Sequence, residues 1–394
     1  VKARKAIVHP ETQSIAVTQL TLENFRNYAN LRLDMDASAI VLTGANGAGK
    51  TNLLEAISML SPGRGLRAAS FDELIRHGSP NGWAVAAKIL VAGSEIALGT
   101  AYDRRSKSAA GERDGLGRRA VIDGVVQKSS GALGRHVRIL WLTPAMDRIF
   151  SGPRGDRRRL FDRLTVALDP DHSARLSAFE KLMRERNRLL AKGSTDPVWL
   201  SSLEHRMAEE GVAIVASRLA ALDALATYMV KDSSLSFPWV SLALEGVLES
   251  ELQNRPAVQV EDRYRKLLLD SRSPDRAAGR TLSGPHRSDL KVVHGPKGLD
   301  AGACSTGEQK AMLIGMILAH AKAMKNTLGG MLPVLLLDEV VAHLDAERRL
   351  GLFRELHGLG AQCWLTGTDR SLFDGMDGRT LFYAVKDGAL TPIG

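Results

Sequence analysis

Apolar residues follow three spacing patterns along the chain. Residues 39–43 (AIVLT) and 334–337 (VLLL) are short apolar runs, and 137–142 (VRILWL) is apolar apart from Arg138, as in parallel strands buried on both faces. Residues 17–23, 31–36, 84–98 and 120–127 alternate apolar with polar, with turn signals at Gly93-Ser94 and Asp123-Gly124. They predict a flanking antiparallel sheet, with 17–23 and 31–36 as edge strands. The spacing then becomes helical over 157–168, 173–190 and 198–230, where Leu200, Leu203, Met207, Ile214, Leu219, Leu222, Leu225 and Met229 mark one apolar stripe. Pro170 and Gly193-Ser194 interrupt these helices. Residues 51–60 and 311–325 are also helical by spacing, and 362–365 read as one more strand. Residues 107–119 read as a mobile loop, and the polar, basic stretch 270–280 as a return connection.

The loop after the first apolar strand reads GANGAGKT, comprising Gly44, Ala45, Asn46, Gly47, Ala48, Gly49, Lys50 and Thr51, followed by Asn52. Glycines let such a loop curl its N–H groups around an anion, and the helix start adds partial positive charge. Strand, loop and helix occur in the order that a nucleotide-phosphate site requires. Lys50 can reach the β- and γ-phosphates of ATP, and Thr51 can ligate Mg²⁺. The apolar strand at 334–337 ends in Asp338-Glu339. Asp338 would hold Mg²⁺, and Glu339 would polarise the attacking water as general base, making it the catalytic residue. Ser305, Thr306, Gly307, Glu308 and Gln309 precede the helix at 311–325, and Ser305 with Glu308 has capping-box spacing. A capped helix start with exposed N–H groups and a hydroxyl can grip a phosphate.

The order GANGAGKT, STGEQK, LLLDEV resembles the head domain of the SMC-like ABC ATPases, and within them the RecF family. LTLENFRNY at 20–28, the Gly-Pro-x-x-x-Arg-Arg-x-x-x-Asp stretch at 152–162, GPHRSDL at 284–290 and AHLD at 342–345 extend the match to almost the whole chain. The resemblance implies that the segment from Ser305 to Gln309 completes the ATP site of a second subunit. It places the D-loop at His343, Leu344 and Asp345, and a phosphate-contacting arginine at Arg26. The switch position holds Thr366-Gly367-Thr368 without a histidine; a threonine fits the family, and Thr366 and Thr368 both remain candidates. Pro144 is followed by Ala145-Met146-Asp147 rather than an acidic pair, so the Q-loop residue is unassigned.

The resulting expectation is an α/β fold. An ABC-type P-loop ATPase head, with a mixed sheet and a flanking antiparallel sheet, spans 15–153 and 281–394. A compact helical lobe is inserted at 154–280, and residues 1–14 form a flexible tail. The insert is too short for the long coiled-coil arm of SMC proteins and lacks sustained heptads. The resemblance further implies an ATP-dependent homodimer that clamps DNA at single-stranded gaps and duplex junctions. It implies slow hydrolysis that releases the DNA, partnership with RecO and RecR, indirect action on RecA, and a role in the SOS response.

Composition adds little against this reading. Lys and Arg outnumber Asp and Glu by 53 to 44, a formal charge of +9, which suits a polyanionic partner. Aromatic content of 5% argues against a single-strand binder built on base-stacking platforms. Cys304 and Cys363 have no metal-ligand spacing and fit a reducing compartment. No run of about 18 apolar residues and no secretory h-region is present, giving the expectation of a cytoplasmic protein without a membrane. Three rivals remain. A transport ATPase needs a Leu-Ser-Gly-Gly-Gln signature and a switch histidine, both absent. A nuclease-linked ATPase needs a metal nuclease domain for which no room is left. A nucleotide-gated scaffold with negligible turnover is opposed only by Glu339.

Overall fold

The computed structural model describes residues 15–36, 39–104, 118–192, 197–229, 231, 236–376 and 380–393. The expected tail at 1–14 and most of the expected loop at 107–119 lie outside them. The chain divides into two compact units, one formed by Val1–Pro144 with Ala321–Gly394 and the other by Ala145–His320. The second unit contains the segment expected as a helical lobe, and also the GPHRSDL stretch and the Ser305 helix start.

The first unit contains two six-stranded sheets. The antiparallel sheet uses β1 (Ala16–Phe25), β2 (Tyr28–Asp34), β4 (Trp83–Val91), β5 (Ser94–Tyr102), β6 (Arg118–Ile122) and β7 (Val125–Val126), in the order β2-β1-β4-β5-β6-β7. Alternation alone put both of the first two strands at an edge. Only β2 is there; β1 lies between β2 and β4, because an antiparallel strand with one covered face alternates wherever it sits. Arg118 and Arg119, expected in the loop, open β6.

The core sheet uses β3 (Ala39–Thr43), β8 (Ile139–Leu142), β12 (Val334–Leu337), β13 (Cys363–Gly367), β14 (Thr380–Lys386) and β15 (Ala389–Ile393), in the order β15-β14-β3-β13-β12-β8. All its pairings are parallel except β14 with β15, so the sheet is mixed. Strands β8, β12 and β13 are buried along their whole length, which is why they carry almost no polar side chains. Helix α1 (Lys50–Ser58) follows β3 directly after the glycine loop.

Helices α2 (Arg154–Leu168), α3 (His172–Ala191) and α4 (Pro197–Tyr228) open the second unit. Helices α3 and α4 share a core with Phe179, Leu182, Leu203, Met207, Val212 and Val215. By length and composition α4 could cross a membrane, with a mean hydropathy of 1.3 over its most apolar window, contrary to the sequence expectation that no such segment exists. Its buried side chains instead serve that core. Strand β9 (Val240–Glu245), α5 (Val247–Leu252) and α6 (Ala257–Asp270) follow. The stretch expected as a polar return connection contains helix α7 (Arg272–Ala278). Strands β10 (Asp289–His294) and β11 (Leu299–Asp300) then complete a small sheet, β11-β10-β9. Helix α8 (Thr306–Thr327) begins within STGEQK, and α9 (Ala346–Leu359) follows AHLD.

Buried arginines tie the second unit together. Arg186 is fully buried and donates to Glu204 (3.0 Å), Asp275 (2.6 Å), Thr281 Oγ1 (3.0 Å) and Leu268 O (2.7 Å). Arg218 donates to both oxygens of Asp162 (2.7 and 2.9 Å) and to Pro285 O (2.7 Å). Such pairs are costly to leave half made, and here each guanidinium is matched by carboxylates and carbonyls.

Leu336 is fully buried at the middle of β12, between Trp141 of β8 and Trp364 of β13 in register. Leu336→Ala is expected to cost about 3 kcal/mol of stability, read as a lowered denaturation midpoint; a loss below about 1 kcal/mol would contradict the buried placement.

Candidate nucleotide site

The parallel pairings of β3 with β13 and of β13 with β12 bring the glycine loop, Thr366 and Asp338 to the same end of the core sheet. At Gly44 φ is +145°, and a Cβ there would lie 2.4 Å from Val385 O. At Gly49 φ is +112°, and a Cβ would meet Asn27 Nδ2 at 2.4 Å. Both positions therefore require glycine. Ala45, Asn46 and Gly47 are exposed, while Ala48 is half-buried. No side chain caps α1, so its first N–H groups keep their capacity for an anion. Lys50 is buried, and Nζ donates to Gly44 O (2.7 Å) and Ala45 O (2.9 Å) within its own loop. Burial lowers its pKa, against the charges of Glu339 and Asp338.

Asp338 is buried at the end of β12. Its Oδ1 accepts from Thr51 Oγ1 at 2.9 Å and from Thr366 Oγ1 at 2.8 Å. Burial raises its pKa despite these two hydroxyls. Thr366 Oγ1 also accepts from the backbone N–H of Glu339 at 2.8 Å. Glu339 is half-buried with φ +51°, a left-handed conformation costly for this residue type. One threonine hydroxyl thus fixes both members of the acidic pair. Thr368 is exposed, and of the two threonines left open by the sequence only Thr366 bonds to Asp338.

Several residues buttress the loop; Arg26 and Asn52 were named from the sequence, while Asn27, Tyr28, Glu55 and Arg67 were missed. Arg26 donates Nε and Nη2 to the two oxygens of fully buried Glu55, each at 2.8 Å, and Nη1 to Glu73 O. In this structure Arg26 is therefore bound to α1. Arg67 donates to Glu55 (3.1 Å) and to Asn52 Oδ1 (2.8 Å), and its charge acts on Asp338. Asn52 donates to Asn27 Oδ1 (2.8 Å), Asn27 to Ala48 O (3.1 Å), and Tyr28 OH to Gly49 O (3.0 Å). The ring Arg26–Glu55–Arg67–Asn52–Asn27 closes through the chain between Asn27 and Arg26. The sequence signal for it was a glutamate on the buried face of a short helix, which requires a cationic partner.

In the second unit, Ser305, Thr306 and Gly307 are exposed at the start of α8. The capping box is formed. Glu308 accepts from Ser305 N and Ser305 Oγ, both at 2.9 Å, and Glu308 N donates to Ser305 Oγ. A Cβ on Gly307 would meet nothing within 4 Å, so its own chain does not require glycine there. Gln309 is buried, and its Nε2 donates to Cys304 O at 2.9 Å. In the first unit, His343 is exposed and Leu344 buried, while Asp345 caps α9 by accepting from Arg348 N at 2.8 Å.

The three consecutive arginines of α2 all have partners. Arg157 donates to both oxygens of Asp289 (2.9 and 2.8 Å), Arg158 to Ser288 O (3.0 Å), and Arg159 to Asp156. With Arg218 on Pro285, these contacts explain the GPHRSDL stretch as the anchor of β10.

The RecF/RecN/SMC N-terminal domain family matches residues 16–120. The chain is 48% identical over 377 residues to the DNA replication and repair protein RecF of Mesorhizobium japonicum, an alignment that covers 95% of this chain and 97% of that protein. A solved structure of the recombination mediator protein RecF with ATP, in the RecFOR pathway, superposes with a TM-score of 0.80 at 25% identity, covering 96% of this chain and 99% of that one. A second RecF structure from that pathway gives a TM-score of 0.82 at 23% identity, covering 98% and 100% of the two chains.

Glu308 provides a pH test of the helix start. The Lys297 ammonium, then the Ser305 backbone N–H and hydroxyl, lower its pKa from 4.5 to about 2. A depressed carboxylate contributes stability above its unfolded value and loses it as pH falls through the folded value. The cap should therefore persist below pH 4.5 and dissolve near pH 2, as followed by the Glu308 carboxyl resonance and Ser305 amide exchange. Titration near 4.5 would contradict the cap.

Proposed function

The chain belongs to the RecF family of DNA replication and repair proteins, and on that premise we propose that it is an ATP-gated DNA-binding switch of recombinational repair. The observation that carries the proposal is Asp338 Oδ1 shared between Thr51 of the phosphate loop and Thr366 of β13. ATP binds with its phosphates in the loop of residues 44–51. Lys50 exchanges its two carbonyl acceptors for phosphate oxygens. Arg67 adds a second positive charge beside the loop.

The hydroxyl of Thr51 and the carboxylate of Asp338 are hard oxygen donors, and they fit Mg²⁺. Among the described residues no cluster of three or more His, Cys, Asp or Glu could hold a metal alone, so phosphate oxygens and water would supply the remaining ligands. When bound, Mg²⁺ supplies charge neutralisation for the phosphate oxygens. Glu339 orients the attacking water and takes its proton, held in place by its strained backbone and by Thr366. Thr366, through this contact, links the γ-phosphate to the acidic pair.

Two copies share each nucleotide. Ser305, Thr306 and Gly307 of one copy approach the γ-phosphate bound by the other, and the open space around Gly307 leaves room for that approach. His343 and Asp345 lie at the same interface as the D-loop, and Arg26 reaches the nucleotide by leaving Glu55. The interface is isologous, so two composite sites form together. Dimerisation gathers positive charge over DNA at gaps and duplex junctions, and slow hydrolysis releases it. The RecFOR pathway of the solved relatives extends the proposal to RecO and RecR as partners, to RecA loading and the SOS response, and to a cytoplasmic location.

Lys50→Ala should lower ATP affinity at least about 100-fold, because the buried cation and its charge-assisted bonds are lost together, and abolish the ATP-dependent dimer in sedimentation. Unchanged affinity in equilibrium titration would overturn the site. Glu339→Gln should bind ATP normally, remain dimeric on gapped DNA and hydrolyse at least about 100-fold more slowly. Normal turnover by Glu339→Gln would remove its role as base.

A further inference from the structure

The turn after α1 brings Arg67 back to the phosphate loop, and its shape is held by a residue from another sheet. Arg118, the first residue of β6, reaches the C-terminal end of α1. Its guanidinium donates to Met59 O, Ser61 O (3.0 Å) and Gly63 O (2.5 Å), and its Nε to Thr100 Oγ1 (2.7 Å). Met59 is the C-cap of α1, so a cation sits where the helix leaves its last carbonyls unpaired. Ser58 secures the same turn, with Oγ donating to Glu55 O (2.7 Å) and accepting from Leu66 N (2.8 Å). The next residue, Arg67, then meets Glu55 and Asn52.

We infer that Arg118 is a positioning residue for nucleotide binding: it fixes the turn 59–66 so that the guanidinium of Arg67 stands beside the phosphate loop. The inference rests on the ATP-site reading above and goes beyond it by connecting the antiparallel sheet to that site. A helix-capping role alone would stabilise α1 without acting through Arg67. A positioning role makes the effect of Arg118 on ATP depend on Arg67, and a double-mutant cycle separates the two.

The experiment measures the Kd of a fluorescent ATP analogue for the full chain and for Arg118→Lys, Arg67→Ala and the double variant, with thermal melting as a check on folding. Arg118→Lys keeps a cation but loses the fork that spans three carbonyls. It should weaken binding about tenfold in the parent chain and less than about twofold in the Arg67→Ala background. Should Arg118→Lys fail to fold, Thr100→Val, which removes the acceptor of Nε together with the hydroxyl's own bond to Arg119 O (2.9 Å), replaces it with a smaller effect of the same sign and the same dependence on Arg67. Fully additive losses would overturn the positioning role. Unchanged affinity on Arg67→Ala would instead overturn the placement of Arg67 in the ATP site, a failure distinct from that of Arg118.

Discussion

The candidate nucleotide site is organised around one carboxylate oxygen. Asp338 Oδ1 receives hydroxyls from two elements that are remote in sequence, Thr51 on α1 and Thr366 on β13. Burial works against its charge, so the position favours whatever cation comes within reach. The same Thr366 hydroxyl accepts the backbone N–H of Glu339 and helps to hold that residue in a left-handed conformation. This geometry depends on the parallel order β3-β13-β12, because a one-residue slip between β12 and β13 would turn Thr366 away from Asp338 and one between β3 and β13 would displace Thr51. The apolar, fully buried β12 and β13 are what enforce the register.

The phosphate loop needs support of a different kind. A loop of glycines and exposed small residues has little packing of its own. It is braced from below by the ring Arg26–Glu55–Arg67–Asn52–Asn27 and by Tyr28. Glu55 is the center of that ring, a buried carboxylate satisfied by two guanidiniums. The second unit uses the same solution on a larger scale, with Arg157, Arg186 and Arg218 each paired to carboxylates around the segment that leads into β10. In both units arginine is used where planar, multidentate bonding can satisfy several groups at once.

Much of this was legible before any coordinates. The strands at 39–43 and 334–337, the glycine loop and the helix beginning within STGEQK are local patterns, and local patterns survive in sequence. Long-range pairing was not legible. Alternation in residues 17–23 could not tell an edge strand from an interior one. The polar stretch before GPHRSDL contains α7, whose buried Asp275 is satisfied by Arg186 from another helix and by Leu282 N. Thr366 and Thr368 lie on the same face of an ideal strand, and only the end of β13 at Gly367 separates the buried hydroxyl from the exposed one. The partners of Arg26 and Arg67 depend on the packing of two turns against α1.

The central claim is that each ATP is gripped by two copies of the chain, and subunit complementation tests it directly. Lys50→Ala disables one phosphate loop, and Gly307→Trp places bulk where the chain itself has open space. Each variant alone should lack ATP-dependent dimerisation and hydrolysis. Mixed in equal amounts, they can form heterodimers with one intact composite site, and, since neither variant pairs with itself, hydrolysis should recover to as much as about half of the parent rate. A mixture no more active than the two variants measured separately would contradict the shared site.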